Sequence, residues 1–301
     1  MEPPAPSAVL DIGTNTVLLL VGRRGPDGAV EVIEDRARIT RLGEGLARGS
    51  ALRPAAVERT LAALSDHVAR ARALGVPGGR IVAAATAGVR MATDAEAFLA
   101  RAAQVVGLPV RVLSGEEEAA LSFASVAADE PAGPLRVLDI GGGSTELAVG
   151  RDGKVSSVAS FRLGSVHLWE RFAGADPPGR EGFEAMAAHA AACLAERPVS
   201  PHPRLSALAG TATTTAALLL GLSTYDRTRV DGSTFEREAV RGLGAHLAAM
   251  PIEARSRLPC LPTGRADVIV AGIAILVAAL DHCGAKTLVV RDRGHRYALL
   301  P

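Results

Sequence analysis

The sequence predicts an α/β protein made of two similar domains, residues 1–130 and 131–301, facing a central cleft. Three observations carry this. The stretch VLDIGTNTVLLLVGR at Val9–Arg23 is written again as VLDIGGGSTELAVGR at Val137–Arg151, 128 positions later. Each copy opens a three-stranded meander followed by alternating helical and strand patterns, so the repeat marks the first hairpin of each of two like units. The length of 301 residues, 48% of them hydrophobic, suits two domains that each bury a core.

In the first half, Val9–Ile12, Val17–Val21 and Val30–Ile39 read as strands, with a hairpin turn at Asp27-Gly28. Pro54–Leu74 reads as a helix: Val57, Leu61, Leu64 and Val68 recur at helical spacing, Pro54 suits the first turn and Gly75 ends it. Arg80–Thr86 is a short apolar strand, Asp94 a cap for a helix running to about Gly107, Val110–Leu113 a strand and Glu116–Ala128 a helix. Ala128–Pro134, ADEPAGP, has linker composition.

The pattern then restarts. Leu135–Ile140, Thr145–Val149 and Val155–Phe161 are strands, turned at Asp152-Gly153. Helices follow at Ser165–Phe172 and Gly179–Arg197, a strand at Leu205–Ala209, a helix at Thr213–Leu220, helices at Phe235–Ala249 and Arg265–Cys283, and a strand at Thr287–Val290. The longest apolar run, Val268–Leu280, falls short of the roughly 20 residues that cross a bilayer, so it reads as a buried helix.

Composition narrows the class. The 33 basic and 32 acidic residues nearly cancel, which argues against nucleic acid as a partner. Cys193, Cys260 and Cys283 lack the spacing of a zinc site or disulfide framework and suit reduced thiols. The N-terminus has neither the basic nor the apolar region of a secretion signal. The expectation is a cytoplasmic protein without a membrane partner.

The repeated hairpin turns carry the chemistry. In DIGGGSTE, Asp139–Glu146, a buried strand ends in a carboxylate, then Gly141, Gly142 and Gly143, then Ser144 and Thr145. Glycines allow close approach of a ligand and leave several N–H groups pointing one way, which cradles phosphate. Asp139 would repel phosphate directly, so its natural role is to hold Mg²⁺ beside it. DIGTNT repeats the logic with Asp11, Gly13, Thr14, Asn15 and Thr16. A single such turn also suits plain turn chemistry; two matched turns point to a ligand with several phosphates.

At this point the chain resembles the exopolyphosphatase/guanosine-pentaphosphate phosphohydrolase family, within the actin-like ATPase and sugar-kinase superfamily with its ribonuclease H-like domains. The likeness runs through DIGTNT, RLGEGL (Arg41–Leu46), AATAGVR (Ala84–Arg90), LSGEEEA (Leu113–Ala119), DIGGGSTE, GTATTTAAL (Gly210–Leu218), YDRTRVDG (Tyr225–Gly232) and AGIAIL (Ala271–Leu276). It implies the short, two-domain form, since the chain stops at Pro301. Two departures bear on substrate preference: Asp231 stands where the family commonly has His, and the C-terminal motif is loosened to RGHRYA, Arg293–Ala298.

The resemblance implies hydrolysis of a terminal phosphoanhydride, which needs an activated water and neutralised phosphate oxygens. It assigns water activation to Glu118; the residues alone do not separate Glu118 from Glu116 and Glu117, acids that also favour a helix N-terminus. Asp139 and Glu146, with Asp11 as symmetric partner, are the candidates for Mg²⁺ or Mn²⁺; Glu146 either holds the metal or orients a water on it. Arg90 suits bidentate binding of phosphate oxygens, Thr211 anion binding at a helix start, and Arg41 and Arg265 are weaker candidates for guiding a polyanion.

The expected substrate is inorganic polyphosphate, with guanosine pentaphosphate as the alternative. A kinase of the same superfamily and a non-catalytic phosphate sensor are further readings; retention of Asp11, Glu118, Asp139 and Glu146 together argues against the sensor. A homodimer is a possible assembly.

Overall fold

The fold is seen in a computed structural model that describes residues 4–26, 28–46, 50–172, 174–262 and 264–301. The expected turn at Asp27-Gly28 includes Asp27, which lies outside the described residues. Packing separates two compact units, Met1–Leu121 with His295–Pro301, and Ser122–Gly294.

In the first unit, β1 (Ser7–Ile12), β2 (Thr16–Arg24) and β3 (Val30–Ile39) form an antiparallel meander. Helix α1 (Pro54–Ala73) follows, with Pro54 in its first turn and Val57, Leu61, Leu64 and Val68 all buried. Then come β4 (Ile81–Ala85), the single turn α2 (Ala87–Arg90), α3 (Ala95–Val106), β5 (Arg111–Val112) and α4 (Gly115–Ala127). The sheet order is β3-β2-β1-β4-β5, with β4 and β5 parallel to β1. The strand β1 is buried along its whole length, as a central strand covered on both faces must be. The edge strand β3, VEVIEDRARI, carries charges that discourage edge-to-edge pairing.

The second unit repeats the plan with β6 (Pro134–Ile140), β7 (Thr145–Arg151) and β8 (Lys154–Phe161), then α5 (Ser165–Phe172), α6 (Gly179–Leu194), β9 (Arg204–Leu208) and α7 (Ala209–Leu219). The single turn α8 (Arg227–Val230), β10 (Thr234–Glu236), α9 (Arg237–Ala248), the turn α10 (Ile252–Arg255), α11 (Ile269–His282), β11 (Thr287–Val290) and α12 (His295–Leu299) complete the chain, α12 belonging to the first unit. The sheet order is β10-β11-β9-β6-β7-β8. Stripped of β10, this is the order of the first sheet, with parallel and antiparallel pairs in the same places. The two units are thus versions of one α/β design, the actin-like class.

The repeat extends to its irregularities. Both meanders break register at the same point, between Val21 and Gly22 and between Val149 and Gly150. A side chain at Gly22 would lie 2.7 Å from the Glu31 carbonyl oxygen, and one at Gly150 would lie 2.3 Å from that of Lys154. These matched glycines therefore serve the bulge, not a ligand. Asp152 and Gly153, both left-handed at φ 52° and 74°, make the expected two-residue turn.

Several boundaries differ from the sequence reading. Phe235 lies in β10, which pairs with β11, so α9 starts only at Arg237. Helix α7 begins at Ala209, four residues earlier than its apolar pattern suggests, because the chain turns sharply there through a left-handed Ala209 (φ 66°). Asp94 does not cap α3; its Oδ1 accepts from the Leu52 N–H at 2.9 Å. The linker-like segment at 128–134 lies inside the second unit, so the boundary drawn from composition at 130/131 does not coincide with the packing. Phe123 rests against Gly150 and Ser122 bonds Asp139, which draws the end of α4 into that unit. The apolar run forms α11, with Ile269–Leu280 wholly buried. Among the described residues, no helix is long and apolar enough to cross a membrane.

Candidate active site

The β1–β2 and β6–β7 turns are closed alike: Gly13 N–H donates to the Thr16 carbonyl at 3.0 Å, and Gly141 N–H to that of Ser144 at 2.9 Å. Two further carbonyls of each turn are tied from behind. Thr14 O accepts from Gly43 N–H, and Asn15 O from the N–H groups of Thr40 and Arg41. Gly141 O accepts from Ser165 N–H and Gly142 O from Val166 N–H, both at 3.0 Å. The N–H groups of Thr14 and Asn15, and of Gly142, Gly143 and Ser144, meet no protein acceptor among the described residues. An array of donors with its carbonyls turned away is an anion-binding nest.

The segments that tie the turns are themselves a repeat. Arg41-Leu42-Gly43 follows β3, and Arg162-Leu163-Gly164 follows β8. A side chain at Gly43 would strike Thr14 Cγ2 at 2.3 Å, and one at Gly164 would strike the Gly142 carbonyl oxygen at 2.2 Å. Each glycine lets the loop seat on the same residue of its turn. Thr14 is further pressed by Gly88 of α2, whose Cβ would lie 3.0 Å from Thr14 Cα. Thr145, expected to reach phosphate, is fully buried and donates its hydroxyl to the Leu163 carbonyl at 2.5 Å. It holds the loop to the turn, and its hydroxyl is committed there.

The carboxylates of the two turns differ. Asp139 and Glu146 are direct cross-strand partners, both buried, so two acids share one face of the sheet. Asp139 Oδ2 accepts from Ser122 Oγ at 2.7 Å, and Glu146 Oε1 from Ser160 Oγ at 2.8 Å. In the first unit, Asp11 stands opposite Leu18 instead. Its Oδ2 lies 3.1 Å from His295 Nε2 of α12, while its buried Oδ1 meets no hydrogen-bond donor among the described residues. His295 is a site residue that sequence reasoning passed over; only its place in the C-terminal motif hinted at it.

The structure separates the three acids of SGEEEA. Glu116 is exposed. Glu117 closes a capping box with Ser114: Ser114 N–H donates to Glu117 Oε2 at 2.8 Å, and Glu117 N–H to Ser114 Oγ at 3.1 Å. The Ser114 N–H, and then Arg111, hold its carboxyl below the usual range. Glu118 alone is buried, and Arg90 Nη1 donates to its Oε2 at 3.2 Å and to the Leu113 carbonyl at 2.5 Å. Arg90 is thus brought to Glu118, with its guanidinium partly exposed.

In the second unit, the Thr211 side chain packs on Gly272 of α11, where a Cβ would lie 2.7 Å from Thr211 Oγ1. What Thr211 offers an anion is its N–H in the first turn of α7. Arg265 Nη1 donates to Gly210 O and Thr214 Oγ1, both at 2.8 Å. Burial pushes its guanidinium down to about 10, so it stays charged at neutral pH. Arg41 takes a left-handed φ of 55° beside the first turn, near Glu44. Asp231, the departure noted above, accepts from the Asp292 N–H at 2.9 Å, and Arg227 donates to the Asp292 carbonyl at 2.8 Å. It thereby ties YDRTRVDG to the chain beyond β11.

Paired α/β units, each with a donor nest beside a buried strand-end carboxylate, define a phosphate-handling protein of the actin-like class. The chain belongs to the Ppx/GppA phosphatase family, whose model matches residues 22–300. It is 31% identical to exopolyphosphatase 2 of Mycobacterium tuberculosis over 95% of this chain and 94% of that protein. Among solved structures, the Aquifex aeolicus Ppx/GppA family member is 33% identical, with a TM-score of 0.82 over 98% of this chain and 96% of that one. An exopolyphosphatase from Cytophaga hutchinsonii, 22% identical, shares the fold with a TM-score of 0.87 over 98% and 96% of the two chains.

Proposed function

We propose that this chain is an exopolyphosphatase. Water attacks the terminal phosphorus of inorganic polyphosphate, the bridging P–O bond breaks, and orthophosphate leaves. The observation that supports this reading is the pair of turns in which two carbonyls each are tied back while the N–H groups of Thr14, Asn15, Gly142, Gly143 and Ser144 meet no protein acceptor among the described residues, in a family of phosphatases. The donors of Gly142, Gly143 and Ser144, and those of Thr14, Asn15 and Thr16, hold phosphate oxygens, while the N–H groups of Gly13 and Gly141, also expected to reach phosphate, close the turns instead; Arg90 and the Thr211 N–H add to the open donors. Glu118, buried and steadied by Arg90, takes the proton of the attacking water.

Asp139 and Glu146 would hold Mg²⁺ or Mn²⁺, and Asp11 is the matched candidate in the first unit. The fit rests on two buried acids side by side in the second unit and, in the first, on an Asp11 Oδ1 that meets no hydrogen-bond donor among the described residues. Among the described residues, no group of three or more His, Cys, Asp or Glu is placed to cage a metal alone. When bound, such a cation supplies charge neutralisation at phosphate. A cytoplasmic location and a homodimer complete the proposal.

The test is phosphate release from long- and short-chain polyphosphate with Mg²⁺ and no acceptor, in wild type and Glu118→Ala. Release by wild type that is lost in the variant is expected. Failure of wild type to release phosphate from polyphosphate, with release from guanosine pentaphosphate, would overturn the substrate assigned here.

A further inference from the structure

We infer that Ser122 is a positioning residue for Asp139, setting the orientation of its carboxylate toward a divalent cation; this rests on the metal role proposed above for Asp139. Ser122 is 1% exposed, and its Oγ donates to Asp139 Oδ2 at 2.7 Å. The direction of that bond is informative. A buried hydroxyl inside a helix ordinarily bonds back to the carbonyl a turn earlier. Thr60 does so to Ala56 O and Thr215 to Thr211 O, both at 2.8 Å, and Ser125 bonds back to Ser122 O at the same distance. Ser122 forgoes this local partner and reaches out of α4 to the carboxylate.

The choice has two effects. It occupies Oδ2 with a neutral donor and fixes the carboxylate plane, as outer groups do for ligating carboxylates. It also ties Asp139, near the end of β6, to the end of α4 that packs in the same unit. Ser122 touches no substrate in this reading; it acts through Asp139.

The experiment measures Mn²⁺ binding to the full chain without substrate, by the electron-spin resonance signal of free Mn²⁺, in wild type, Ser122→Ala, Ser122→Thr and Asp139→Asn. Steady-state turnover of polyphosphate and Tm are followed in parallel. Ser122→Ala is expected to weaken Mn²⁺ affinity roughly 10-fold or more and to lower kcat more than it changes KM. Ser122→Thr keeps the hydroxyl and should recover most of the affinity; it also serves if the alanine variant fails to fold. Wild-type Mn²⁺ affinity in Ser122→Ala would overturn the inference, as would equal losses in the Ala and Thr variants, which would assign the effect to packing. Wild-type affinity in Asp139→Asn would remove its basis. Because the Mn²⁺ measurement involves no substrate, an enzyme inactive on polyphosphate would sink the proposed function and leave this test standing.

Discussion

Placing a methyl group at Gly164 should disable the enzyme from outside its chemistry. In Gly164→Ala the new Cβ would stand 2.2 Å from the Gly142 carbonyl oxygen, 2.3 Å from its carbon and 2.4 Å from Gly143 N. Contacts of that kind below 3.0 Å do not persist, so the turn must retreat by about 0.8 Å. All three atoms are backbone, and Gly142 O is already bonded to Val166 N–H, so no side-chain rotation relieves the clash. Overpacking of this sort costs roughly 1–3 kcal/mol, and about 2 kcal/mol would lower Tm by about 4–8 °C. The displaced atoms belong to the turn proposed to hold phosphate, and a shift near 1 Å at a reacting group costs on the order of 100-fold in rate. Gly43→Ala is the matched control. There the clash at 2.3 Å is with Thr14 Cγ2, and the next contacts are 3.5 and 3.6 Å away. A methyl group can move, at about 0.5–1.5 kcal/mol. Calorimetry and phosphate release on both variants provide the assay. Full turnover and unchanged Tm in Gly164→Ala, or a greater loss in Gly43→Ala, would refute the reasoning.

Other outcomes follow from the same geometry. Arg90→Gln leaves Glu118 without its guanidinium and removes the phosphate contact proposed for it, so kcat/KM should fall on the order of 100-fold, read by initial rates across polyphosphate concentration. Ser114→Ala breaks the capping box; denaturant unfolding should show a loss of about 1 kcal/mol. His67 is buried, and burial holds its imidazole below its ordinary 6.5. The unfolded chain therefore takes up the proton first, and stability should fall as pH drops from 6.5 through the folded value. His67→Leu should flatten that part of a Tm-against-pH curve, and an unchanged slope would assign the acid sensitivity elsewhere.

The fold was legible where local pattern and tertiary role agree. The repeated VLDIG stretch located both hairpins because strand-end carboxylate and turn share one short window. The second repeat, RLG at 41–43 and 162–164, escaped notice because its offset is 121, not 128. The stretch from Asp11 to Arg41 is seven residues longer than that from Asp139 to Arg162, chiefly because its second and third strands are longer and joined by a five-residue connection against two. β10 was hidden because three residues carry too little alternation to outweigh the helical pattern after them. The roles of Glu116, Glu117 and Glu118 were open, although Ser114-x-x-Glu117 is a capping signature that already commits one of the three. Thr145 and Thr211 looked like ligand hydroxyls because composition does not reveal which way a side chain faces; the tertiary partners Leu163 and Gly272 decide that.

The first unit is closed by residues that follow the whole of the second. Its strand β1 is made well before α12, whose His295 meets Asp11 and whose Arg296 and Tyr297 both donate to Asp35 at 2.8 Å. During synthesis, at about 5–20 residues per second, the earlier half of the protein must wait roughly ten seconds or more for its final piece while the whole second unit emerges. The carboxylate of the first turn therefore acquires its imidazole neighbour only after the second unit has been made, and a ribosome that stalls between residues 294 and 295 leaves a chain whose second unit is complete in sequence and whose first is not.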